Sequence, residues 1–212
     1  MFHAVTAGAM LLSSLASPVA PVAAAAPPPP GEVTISVVTA NGSGCPDGTA
    51  AVDVSTDKKA FTVTYSAYMA QVGVDTKPTD FRKNCQLALD VNIPQGFTYA
   101  IAEADYRGFA HLERGATGTA VASYYFQGNS QTARATHPFK GPLDDNWQTK
   151  DVVGVTALVF EPCGQQRNIN INTELRVAAG RSNPKKTTSF MSMDSTDASF
   201  STVYQLAWKR CP

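Results

Sequence analysis

Three stretches of this chain alternate apolar and polar residues with a period of two, and that pattern permits little besides β-sheet. Leu87, Leu89, Val91 and Ile93 alternate with Gln86, Ala88, Asp90 and Asn92. Ile169, Ile171, Thr173, Leu175 and Val177 share one face, and Asn168, Asn170, Asn172, Glu174 and Arg176 share the other. Phe61, Val63 and Tyr65 alternate with Thr62, Thr64 and Ser66. Successive side chains of a strand point to opposite sides, so each stretch presents one face to a core and one to polar surroundings. No stretch after residue 31 sustains an apolar 3.6 period for three turns, so little helix is expected. Further strand candidates are Val33–Val38, Phe97–Ala104, Thr119–Gln127, Val152–Phe160, Ser189–Met193 and Phe200–Trp208. Turn signals such as Pro46-Asp47-Gly48, Pro94-Gln95-Gly96 and Gly141-Pro142 separate them. Nine or ten strands with frequent turns predict an all-β fold. The form expected is a two-sheet antiparallel β-sandwich, jelly-roll-like, with a closed barrel as the alternative.

With 212 residues and no internal linker or repeat after the first thirty, the chain reads as one domain over 33–212. Residues 26–32 form a Pro-rich spacer, and residues 1–25 read as a signal peptide. The apolar run from Ala4 to Ala16 is too short to span a bilayer and leads into small residues that favour cleavage after Ala24 or Ala25. The n-region, Met1-Phe2-His3, lacks Lys and Arg, so either the amino terminus and His3 suffice or the start lies upstream. Secretion also suits the cysteines. Cys45, Cys85, Cys163 and Cys211 are even in number, contain no C-x-x-C pair and do not match structural zinc spacings. An oxidising compartment would join them into two disulfides, with three connectivities open.

Charge narrows the partners. Lys plus Arg balances Asp plus Glu at 17 each, and charged residues make up 16%, below the usual quarter. A neutral, charge-poor surface argues against counterion-driven nucleic-acid binding and against a polybasic membrane patch. The partners that fit are polysaccharides or extracellular proteins. No cofactor is called for, and the oligomeric state is left open.

Candidate chemistry is sparse. His111 and His137 lie in no nucleophile-elbow pattern and read as solvent-facing or loop-packing residues. Glu103 and Asp105 continue the parity of Phe97, Tyr99 and Ile101, as does Arg107. If the strand stays regular, both carboxylates point to the apolar side. Residues two apart on a strand face sit roughly 7 Å apart, a spacing compatible with a glycosidase pair. A bulge near Ala102 would flip the face and leave a structural ion pair instead. Asp194 and Asp197 are the metal candidates, in a turn whose oxygens could hold calcium, although the EF-hand pattern is missing and Asp and Ser are ordinary turn residues. Asn168, Asn170 and Asn172 line one polar strand face that could bind sugar hydroxyls. Trp147 is the candidate for an exposed aromatic platform, against a loop Trp folded over the sheet.

Several stretches together resemble one family. They include Gly44-Cys-Pro-Asp-Gly-Thr49, Arg82-Lys-Asn-Cys-Gln-Leu87, Asp105-Tyr-Arg-Gly108, Tyr124-Tyr-Phe-Gln-Gly128, Asn170-Ile-Asn-Thr-Glu-Leu-Arg-Val177 and Leu206-Ala-Trp-Lys-Arg-Cys-Pro212. Over about residues 33–212 the chain is similar to the domain of unknown function 4360 family, small secreted proteins of filamentous bacteria and fungi. The resemblance implies secretion, one domain and paired cysteines at Cys45, Cys85, Cys163 and Cys211; it implies no activity. Two functional readings follow. One is a non-enzymatic extracellular binding module built on Trp147 and the Asn168–Asn172 face. The alternative is a secreted carboxylate-based, glycosidase-like hydrolase acting through Glu103 and Asp105.

Overall fold

A computed structural model describes residues 26–29, 31–152, 159–193 and 202–212. The segment 1–25, Asp194 and Asp197 lie outside the described residues. Twelve strands and no helix occur among those described: β1 (Thr34–Asn41), β2 (Ala50–Val54), β3 (Ala60–Tyr65), β4 (Met69–Val72), β5 (Arg82–Asn92), β6 (Phe97–Leu112), β7 (Thr117–Phe126), β8 (Ala133–Lys140), β9 (Leu143–Val152), β10 (Ile169–Ala178), β11 (Ser189–Met193) and β12 (Thr202–Arg210). They form two antiparallel sheets. One has the order β1-β5-β10-β7-β8, and the other runs β2-β3-β12-β6-β11-β4 with β9 on the opposite edge of β6. β6 is long enough to carry β12 along its first half and β11 along its second.

The period-two faces meet as the sequence demands. Leu87 and Leu89 of β5 and Ile169, Ile171 and Leu175 of β10 are almost fully buried from one sheet. Phe61 and Val63 of β3 and Tyr204 of β12 are buried from the other. They belong to one hydrophobic cluster that spans both sheets. Each such side chain contributes about 1.5–3 kcal/mol of burial. Thr173, placed by its parity on the apolar face of β10, satisfies its hydroxyl there by accepting from Tyr68 Oη at 3.1 Å.

The predicted Pro94-Gln95-Gly96 turn joins β5 to β6, with Gly96 at φ +80°, a conformation that L side chains rarely adopt. The disulfides are Cys45–Cys85, tying the loop after β1 to β5, and Cys163–Cys211, tying the segment before β10 to the residue after β12. The Pro-rich segment is tied to the sheet at its start, where the Ala26 N–H donates to the Trp208 carbonyl at 2.9 Å.

Four strands were not expected from the sequence: β2, β4, β8 and β9. The expected strand at Val152–Phe160 is also displaced: Val152 closes β9, residues 153–158 lie outside the described set, and Val159 and Phe160 are not in a strand. β8 contains Pro138, which a central strand would not tolerate. β8 pairs only with β7, so the missing N–H costs no ladder bond on its open side.

Candidate functional site

The Glu103–Asp105 pair depends on one unpaired residue. β12 faces β6 in register up to Leu206↔Ile101 and then jumps to Gln205↔Glu103, leaving Ala102 without a partner. This β-bulge switches the inward parity from Tyr99 and Ile101 to Ala104, Tyr106 and Ala110, all buried. Glu103 and Asp105 therefore share a face, as their spacing predicts, but it is the outer face and not the apolar one. There Lys150 Nζ lies 2.7 Å from Glu103 and 3.7 Å from Asp105. The Glu103 hydrogen bond, the largest cause, holds the Lys150 ammonium above its usual range. Gln148 Nε2 also donates to Asp105, at 3.4 Å. Two carboxylates shared by one ammonium on an outer sheet face make a structural ion-pair cluster.

Trp147 is not a platform. It lies on the inward face of β9, 5% exposed, with its ring 5.3 Å from that of Phe139 and its indole N–H donating to the Ser192 carbonyl at 3.1 Å. Gly108 makes room for it: a Cβ there would come within 1.9 Å of Ser192 O and 2.8 Å of Trp147 Cζ2.

The asparagine ladder does form one face. Asn168 sits just before β10, its carbonyl accepting from the Gln127 N–H at 2.9 Å. Asn170 is flanked by Ala88 and Tyr125, and Asn172 by Gln86 and Ser123, on the neighbouring strands β5 and β7. Asn170 is buried at 7% exposure despite its outward parity. Around Asn172 runs a groove of about 210 Å³, lined among others by Arg82, Gln86, Ser123, Arg134 and Glu174. Glu174 is claimed by ion pairs to Arg82 and Arg176. Asn172 Oδ1 is buried without a hydrogen-bond partner, and Arg134 has no ion-pair partner among the described residues. The groove therefore combines an unanswered acceptor with an unpaired cation.

Sequence reasoning missed a buried polar chain through four strands. His137 of β8 bonds through Nε2 to Asp151 Oδ1 of β9. Asp151 Oδ2 accepts from Tyr124 Oη of β7 at 2.7 Å, and the Tyr124 hydroxyl is hydrogen-bonded to that of Tyr106 on β6. Asp151 and both tyrosines are buried. Burial, the largest cause in each case, drives the pKa of Tyr106 and Tyr124 far above the usual tyrosine value. The chain joins the edge strands of the two sheets, so it reads as a structural clasp. One signal was available: His137 shares parity with Ala133, Ala135 and Phe139, the inward pattern of a strand. His111 is an outer-face residue, bonded to Asp144 at 3.0 Å and stacked on Phe190.

Among the described residues no three or more His, Cys, Asp or Glu side chains are placed to hold a metal ion, and no helix is long and apolar enough to cross a membrane. A family model described as Domain of unknown function (DUF4360) matches residues 31–211. The chain belongs to this family. A curated relative from Arthroderma benhamiae (strain ATCC MYA-4681 / CBS 112371), an uncharacterized secreted protein, is 36% identical over 182 residues, covering 86% of this chain and 73% of its own. Secretion is thus shared with this relative, and both disulfides suit it. Among solved structures, the enzymatically active domain of bacteriophage CBA120 tailspike protein 4 matches 84% of this chain. That match covers only 19% of the tailspike chain, at 10% identity and a TM-score of 0.25, and it carries no argument for fold or activity.

Proposed function

We propose that this secreted protein is a non-enzymatic binding module for an extracellular polysaccharide, held in the groove on the outer face of β5, β10 and β7. The observation that carries the reading is Asn172 Oδ1, a buried acceptor with no protein partner beside the unpaired Arg134. Leaving a buried acceptor unanswered costs about 1–3 kcal/mol, which a ligand hydroxyl would recover on binding. Ser123 and Gln86 add donors and acceptors beside it, a set suited to sugar hydroxyls. In this reading residues 1–25 are the export signal, 26–32 the spacer and 33–212 one sandwich domain.

Nothing comparable supports hydrolysis at Glu103 and Asp105. A glycosidase pair needs its two carboxyls free to face one bond, whereas Lys150 holds both. The reading is tested by retention of the secreted protein on a set of insoluble cell-wall and plant polysaccharides. Wild type should be retained on at least one, and Asn172→Ala and Arg134→Ala should each weaken retention about tenfold with no loss of melting temperature. Retention on none of them, with a protein partner captured from culture supernatant instead, would overturn it.

A further inference from the structure

At one end of the sandwich, the β5–β6 turn, the segment 161–166 and the Cys163–Cys211 disulfide enclose a cleft of about 630 Å³. It shares no lining residue with the groove around Asn172. Its polar lining is Asn92, Gln95, Gln165, Gln166 and Glu161, and no Lys or Arg borders it. The lining side chains themselves give no reason to take an anion. Amide side chains offer donors and acceptors together, which suits vicinal hydroxyls, and Phe97 and Ile93 supply apolar surface for the C–H face of a ring. The volume is that of a small-ligand site.

Glu161 is firmly placed. Its N–H donates to the Tyr99 carbonyl at 3.0 Å, its own carbonyl accepts from Thr98 Oγ1 at 2.6 Å, and Oε1 accepts from the Arg167 N–H at 2.8 Å. Oε2 has no hydrogen-bond partner among the described residues. Burial pushes the Glu161 carboxyl above its usual range, the Arg167 N–H opposes this, and Asp90 adds to the rise. The other charged or titratable neighbours are Tyr99 on β6 and, on β12, Lys209 and Arg210, which lie over the Phe160 and Phe97 rings. The Arg167 guanidinium is turned to Gln165 and the Gln127 carbonyl, and Asp90 accepts from Gln166.

We infer that this cleft is a second ligand site, taking one or two rings of a neutral saccharide, with Glu161 Oε2 hydrogen-bonded to a sugar hydroxyl. The experiment is a proton–nitrogen NMR titration of the secreted protein with cellobiose, mannobiose and N,N′-diacetylchitobiose. At least one sugar should shift the resonances of Gly96, Gly164 and the Gln165 side-chain amide. Glu161→Gln should keep binding, because its amide still offers a hydrogen bond to the sugar while Oε1 still accepts from the Arg167 N–H. Glu161→Ala should bind about tenfold more weakly. No shift in the cleft with any of the three sugars, or loss of binding in Glu161→Gln, would overturn the inference. Shifts confined to Ser123 and Asn172 would likewise overturn it while leaving the groove reading intact.

Discussion

At Ala102 a single unpaired residue decides which side chains of β6 face the core. Without the bulge, Glu103, Asp105 and Arg107 would continue inward behind Tyr99 and Ile101; with it, Tyr106 takes the core and the acidic pair goes to Lys150. Gly108, two residues past Tyr106, is equally decisive. Gly108→Ala would drive a Cβ into Ser192 O and the Trp147 ring. The variant should lose about 1–3 kcal/mol of stability in urea denaturation. Asp151 is the other residue on which much depends, since it answers both Tyr124 and His137. Asp151→Ala leaves the buried Tyr124 hydroxyl without its acceptor and should cost about 3 kcal/mol, read by the same denaturation. Asp151→Asn, which keeps an acceptor for Tyr124, should cost less.

Strands with a strong apolar face were legible, and edge strands were not. β3, β5 and β10 announce themselves because every second residue is apolar and is buried between the sheets. β8 and β9 sit at the edges, and their inward residues include His137, Thr149 and Asp151, so the alternation is written partly in polar residues. That same feature hid the polar chain from His137 to Tyr106: its members lie on four strands, and only the folded pairing brings them together. The cysteine count was informative and the pairing was not, because loop closure alone does not rank the three connectivities. The bridges close separations of 40 and 48 residues. Replacing both Cys163 and Cys211 by Ser should lower stability by about 3–5 kcal/mol in the chain-entropy model, measured as a fall in the urea midpoint with m rising as the unfolded chain expands.

Across the whole molecule the core is unusual in its tyrosines. Tyr68, Tyr99, Tyr106, Tyr124 and Tyr204 all have pKa values raised above the ordinary 10.0, with burial the largest cause in each. The unfolded chain releases these protons near the ordinary value, whereas the folded state retains them. Above that pH the unfolded state binds fewer protons, so stability falls as pH rises, by about 1.4 kcal/mol per pH unit for each tyrosine. Alkaline titration should therefore show tyrosinate absorbance from these residues appearing together with loss of β-sheet circular dichroism; ionisation completed well before unfolding would contradict the burial. The candidate site was half legible at this scale. The Asn168–Asn172 face was visible as a strand pattern, but the groove also needs Ser123 and Arg134 from β7 and β8, which only sheet order supplies. Trp147 was misplaced because nothing in its local sequence marks β9 as folded against a core. We propose that the outer face of the five-stranded sheet receives a glycan. Backbone hydrogen–deuterium exchange of the secreted protein, with and without the polysaccharide that retains it, tests this most directly. Protection should appear along β5, β10 and β7; protection confined to β6 and β9 around Glu103, Asp105 and Lys150 would contradict it.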